Sequence, residues 1–145
     1  MHEELKFFIK CNPPKSTAQA SLRIMKKKDG SQFVGKFASS KGQNTQNDLM
    51  SMLSAHVPDD PFCGPILLIV EWCYPWRKSE PKKNMVSGSK PCTTRPDIDN
   101  LCKLLFDCMT RLRFWNDDSY ISTLIFTKSW SDNAGIGITI KDITQ

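Results

Sequence analysis

The sequence contains no stretch approaching the roughly 18 to 20 consecutive apolar residues that a membrane-spanning helix needs. Its longest apolar run, Ile66 to Val70, has the length of a buried strand. The opening Met1-His2-Glu3-Glu4 places acids where a secretory signal carries positive charge, and no long apolar region follows, so the expected location is cytoplasmic. The six cysteines, at 11, 63, 73, 92, 102 and 108, form no Cys-x-x-Cys pair and no Cys/His grouping with zinc-finger spacing. In a cytosolic chain that favours reduced thiols acting as small core hydrophobes. Internal repeats are also absent, which removes solenoid and propeller architectures.

The remaining composition is that of an ordinary globular protein, because 39% hydrophobic and 24% charged residues together exclude a disordered chain. A length of 145 residues suits one compact domain; two separate cores would each be marginal. The expectation is a single domain over 1–145.

The net charge of +5 matters through its distribution. Lys26-Lys27-Lys28, Lys36 and Lys41 lie in the first third. Arg77, Lys78, Lys82, Lys83, Lys90 and Arg95 crowd the stretch before an aspartate motif, opposed only by Glu80. Such a surface favours a polyanionic partner, since each phosphate contact releases condensed counterions.

Strands are expected at Leu5 to Cys11, Ser21 to Met25 and Gln32 to Phe37, with a hairpin turn at Lys28-Asp29-Gly30. Gln43 to Ala55 reads as an amphipathic helix, and Ile66 to Tyr74 as a central strand covered on at least one face. From Pro75 to Pro91 the composition turns to Pro, Lys, Ser, Gly and Asn, which predicts a basic flexible loop at about 75–94 that orders on binding. Asp97 to Leu112 carries one apolar stripe, Ile98, Leu101, Leu105, Cys108 and Leu112, and is the clearest helix. Tyr120 to Lys128 and Ile136 to Ile140 follow as a strand pair, turning at Asp132-Asn133-Ala134-Gly135. The order predicts an α+β fold: a mixed β-sheet with two main helices packed against it.

The segment Arg95-Pro96-Asp97-Ile98-Asp99 concentrates chemistry. Inside a helix, Asp97 and Asp99 would point about 200° apart. At a loop-to-helix junction they can converge, because Asp97 is a good N-cap type with non-helical dihedrals. Lys103 projects from the face of Asp99 one turn later. Asp117 or Asp118 can close on the pair if the next strand lies beside the helix. Clustered carboxylates need compensation, and Mg2+, with Mn2+ as substitute, prefers such oxygen donors. The residues alone leave a second reading open. Asp97 and Asp99 suit a helix N-terminus, Asp117-Asp118 suits a turn, and Lys103 suits a solvated partner of Asp99 or Asp107.

Two separated blocks decide between these. Arg95 to Leu101 with Lys103 and Asp107, then Phe114-Trp115-Asn116-Asp117-Asp118-Ser119-Tyr120-Ile121 and Lys128, resemble in order and spacing the signature of RusA-type Holliday junction resolvases. The match covers about a quarter of the chain, and Asn12-Pro13-Pro14 resembles the family's N-terminal loop more weakly. The resemblance implies that Asp97, Asp99 and Asp118 are metal-binding catalytic acids, with Lys103 stabilising charge at the scissile phosphate and Lys128 at another recurring basic position. It implies a bacterial or phage-encoded homodimer that nicks opposed strands of a four-way junction, leaving 5′-phosphate and 3′-hydroxyl ends. Arg77, Lys78, Lys82, Lys83, Lys90, Arg95 and Lys128 are the expected DNA contacts. Trp76 or Phe62 could wedge at an opened base step, although packing suits Phe62 better, as it does Trp115 and Trp130. The Pro75 to Thr94 segment is longer than a minimal member of the family needs. The alternatives are an inactive branched-DNA-binding module and a less selective flap or branched-DNA nuclease.

Overall fold

Alternation along one strand organises the molecule. In β4 (Ile66–Pro75), the side chains of Ile66, Leu68, Val70, Trp72 and Tyr74 are buried while their neighbours are less so. A strand with one fully apolar face needs helices on that face and strands on both edges. The computed structural model, which describes residues 3–16, 20–26, 28–38 and 40–145, supplies both.

β1 (Glu4–Lys10), β7 (Gly135–Asp142), β4, β6 (Ile121–Ser131) and the short β5 (Ser89–Pro91) form a five-stranded sheet in the order β1-β7-β4-β6-β5. β4 runs parallel to β6 and antiparallel to β7, so the sheet is mixed. The expected direct pairing of the last two strands is corrected here: β4 lies between them. β4's apolar run is most fully covered with a neighbour on each edge, and the Asp132–Ala134 connection crosses its end.

β2 (Ala20–Lys26) and β3 (Gln32–Ala38) form a separate antiparallel hairpin. Its turn uses the expected residues: Gly30 takes φ +88° and the Ser31 amide donates to Asp29 Oδ1 at 2.8 Å. The side chains of Lys26, Lys36 and Lys41, and all of Lys27, lie outside the described residues, so that part of the expected basic surface does too.

Two helices cover the apolar face, α1 (Ser40–Ser54) through Leu49 and Leu53, and α2 (Ile98–Arg111) through Leu101, Leu104, Leu105, Cys108 and Met109. Each of these leucines and the methionine contributes about 1.5 to 3 kcal/mol on burial. α2 ends without a glycine. Arg113 takes the left-handed conformation (φ 70°), its amide donates to the Thr110 carbonyl at 3.1 Å, and Phe114 donates to Met109 at 3.0 Å. That paired pattern is a Schellman cap with arginine where glycine is usual.

The stretch expected to be a loop carries two short regular elements. It contains a 3-10 turn at Lys82–Met85 and then β5, whose Lys90 pairs with Trp130. β5 reaches only Ser129–Ser131 of β6, and the Cys92 amide then donates to the Lys128 carbonyl at 3.0 Å. Among the described residues, no strand covers the outer edge of β6 from Ile121 to Thr127.

Candidate active site

The approach to α2 is fixed before the helix begins. The Lys128 ammonium, on β6, donates to the carbonyls of Thr94 at 2.5 Å and Pro96 at 2.7 Å. Pro96 is buried and follows a cis peptide bond. Asp97 is then the N-cap residue of α2, in extended conformation (φ −72°, ψ 151°), and its carbonyl accepts the first helical bond from Leu101 at 3.1 Å.

Asp97 does not cap with its side chain. Aspartate is favoured at this position because its carboxylate normally accepts an amide of the first turn; here the residue is exposed and its carboxylate makes no cap bond. Asp99 follows in the first turn, also exposed, where the helix dipole favours negative charge. Asp99's charge reaches the Cys102 thiol, whose pKa is raised first by burial and second by that carboxylate. Lys103 is exposed one turn further on. Among the described residues, the only ion pairs are those of Glu80, so neither Asp99 nor Lys103 is held in one.

The second acidic segment is positioned by its neighbours. Phe62 and Trp115 form a parallel bridge: the Phe62 amide donates to Phe114 at 2.9 Å, and Asn116 donates back to Phe62 at 3.2 Å. Trp115 is fully buried, its indole N–H donating to Thr110 Oγ1 at 2.7 Å and its ring edge-on to Phe106. Packing is therefore the role of Phe62, Trp115 and the nearly buried Trp130.

Asp117 and Asp118, adjacent in sequence, differ in role. Asp117 accepts from the Ser119 amide at 2.9 Å and caps the 3-10 turn Asp118–Tyr120, and those bonds lower its pKa. Asp118 is exposed on that turn, which packs against α2. Among the described residues of a single chain, no three acidic, histidine or cysteine side chains stand close enough together to hold a metal ion. Asp97, Asp99 and Lys103 thus share the start of α2, and Asp118 belongs to a neighbouring element.

The expected DNA-contacting cations divide. Lys78, Lys82, Lys83 and Arg95 are exposed. Arg77 and Lys90 instead converge on Glu80, at 2.8 and 2.7 Å, and Asn84 donates to the same carboxylate at 3.0 Å. Arg77 also lies 5.7 Å from the centre of the Trp130 ring. Glu80 is 5% exposed, and its pKa is drawn down to about 2, by Lys90 first and then Arg77 and Asn84. Nothing in the sequence singled out this glutamate except its being the one acid in a basic stretch.

A family model described as Endodeoxyribonuclease RusA matches residues 11–141. That span contains both acidic blocks and β4 to β7 of the sheet, while β1 lies before it. The chain belongs to the RusA endodeoxyribonuclease family. It is 45% identical over 51 residues to the crossover junction endodeoxyribonuclease rusA of Lactococcus phage r1t, a match covering 35% of this chain and 39% of the phage protein. It is also 28% identical over 96 residues to the uncharacterized protein YqaN of Bacillus subtilis, covering 63% of this chain and 67% of that one. The mixed sheet with two helices agrees with the α+β, RusA-like fold expected from the sequence. No helix among the described residues is long and apolar enough to cross a membrane.

Proposed function

We propose that this RusA-family chain is a magnesium-dependent, structure-specific DNA endonuclease that resolves four-way junctions by paired nicks, acting as a homodimer. The observation that carries the reading is Asp97: an N-cap aspartate whose carboxylate does not cap, beside exposed Asp99 and one turn from Lys103. Exposed oxygen-only donors fit a hard dication. Magnesium or manganese held by Asp97, Asp99 and Asp118 would supply the Lewis acidity that activates water and polarises the scissile phosphate. Lys103 neutralises charge developing on the phosphoryl oxygens. Lys128 holds the segment that aims Asp97.

The dimer is supported by the free edge of β6. Ser122 to Thr127 carries no charge, and Leu124 and Ile125 are 40% and 51% exposed. A long, apolar, unpaired edge is a template for another strand. Antiparallel self-pairing centred on Leu124 sets Tyr120 of one copy opposite Lys128 of the other. The turn bearing Asp118 then arrives beside the partner's approach to α2, which suits a triad that one chain does not assemble.

Lys78, Lys82, Lys83 and Arg95 offset the acidic centre and draw in the phosphate backbone, and a two-fold dimer suits a branched substrate recognised by shape. The test is cleavage of a synthetic four-way junction with magnesium, manganese or chelator. Metal-dependent symmetrical nicks support the reading. Cutting linear duplex and flaps equally fast removes the junction specificity and leaves a less selective nuclease. Binding without cutting in either metal favours the inactive branched-DNA-binding module, for which the unassembled triad is the supporting observation.

A further inference from the structure

The segment between Glu80 and β5 ends in a side chain that the nuclease chemistry does not use. Val86 is 88% exposed, more than any other large hydrophobic residue among those described. It sits in a hydrogen-bonded turn, where the Gly88 amide donates to the Met85 carbonyl at 3.0 Å and Gly88 takes φ +82°. The base of this turn is held on several sides. Asn84 donates from its amide to the Pro81 carbonyl and from its side chain to Glu80, both at 3.0 Å, and Asp132 donates to the Gly88 carbonyl at 3.0 Å. An apolar, χ1-stiff side chain presented to water on a braced turn gains only when something covers it.

The charges around it say what that partner is. Glu80 holds Arg77 and Lys90 in ion pairs at the base of the loop, leaving Lys82 and Lys83, both exposed, four and three residues before Val86. Cations that grip phosphates beside an apolar tip are how proteins pry apart a base step and kink DNA. The two aromatic candidates are occupied: Phe62 is 4% exposed, and the Trp76 indole N–H is bonded to Asp132 Oδ1 at 2.6 Å.

We propose that Val86 is a wedge that inserts between bases at the opened centre of branched DNA, with Lys82 and Lys83 on the flanking phosphates. The inference rests on the proposed junction-cleaving function and adds a distortion site on a different element from the acids. A branch point is the cheapest place for insertion, because its stacking is already interrupted.

The test uses full-length Asp99→Asn protein, to prevent cutting, and a four-way junction with 2-aminopurine at the crossover. Binding should raise the fluorescence as the base unstacks. Adding Val86→Ser should remove most of that rise and weaken junction binding about tenfold, while leaving linear-duplex binding unchanged. Val86→Phe should keep the rise. An equal rise with Val86→Ser overturns the wedge and leaves junction recognition standing; failure of Asp99→Asn to bind any branched DNA overturns both.

Discussion

Replacing Lys128 with methionine should slow strand nicking far more than it weakens DNA binding. The ammonium makes two hydrogen bonds, at 2.5 and 2.7 Å, to the carbonyls of Thr94 and Pro96, and so ties β6 to the chain entering α2. Hydrogen bonds to a charged group contribute about 1.5 to 3 kcal/mol each. Lys128 is only half-buried, and water can replace part of what is lost. A total of about 2 kcal/mol follows, or roughly 4 to 8 °C in Tm for a domain of this size. The larger effect is geometric, since displacing a catalytic group by about 1 Å costs on the order of 100-fold in rate. Salt dependence separates this role from a phosphate contact, which would lower the logarithmic salt slope by about 0.9. Gel shifts at several salt concentrations and single-turnover nicking should show an unchanged slope with a rate reduced about 100-fold. A slope lowered by about one unit with the nicking rate intact would refute the positioning role.

Glu80 gives a pH signature. Its pKa of about 2 lies below the ordinary 4.5, so its stabilising bonds are present above that value and are lost as pH falls from 4.5 towards 2. Thermal unfolding of Glu80→Gln should therefore depend less on pH across that window than wild type; identical pH profiles would count against the cluster. Leu105→Ala, on the fully buried stripe of α2, should cost about 2 to 5 kcal/mol by denaturant unfolding. Ile125→Lys, on the open edge of β6, should yield a folded monomer by sedimentation, whereas an unchanged dimer would place the interface elsewhere.

Regular elements were legible where periodicity was strong. α2 and β4 fall within one or two residues of their expected bounds, because an apolar stripe and an apolar run each specify one conformation. Strand neighbours were not legible. β6 and β7 are joined by a short turn, yet β4 separates them, and that choice is made by burial across the whole sheet. β5 was missed since three residues ending in proline carry no pattern. The short regular elements within 75–94 are hidden for a related reason. Pro, Ser and Lys resemble a linker until one buried glutamate gathers Arg77, Asn84 and Lys90.

At the site, the placing of Asp97 at a helix start, with Asp99 in the first turn, was legible in the sequence, and Asp97 has the extended backbone of an N-cap residue. That Asp117 serves its own turn while Asp118 faces outward follows from one hydrogen bond to Ser119, which no spacing encodes.

In the proposed mechanism Asp97, Asp99 and Asp118 form one metal-dependent centre, with Asp117 outside it. Single-turnover nicking of a four-way junction, titrated with magnesium, should be abolished by asparagine at any of the three. Asp117→Asn should keep the wild-type metal dependence at a reduced rate. Full activity in Asp118→Asn, or wild-type cleavage that persists in chelator, would contradict the account.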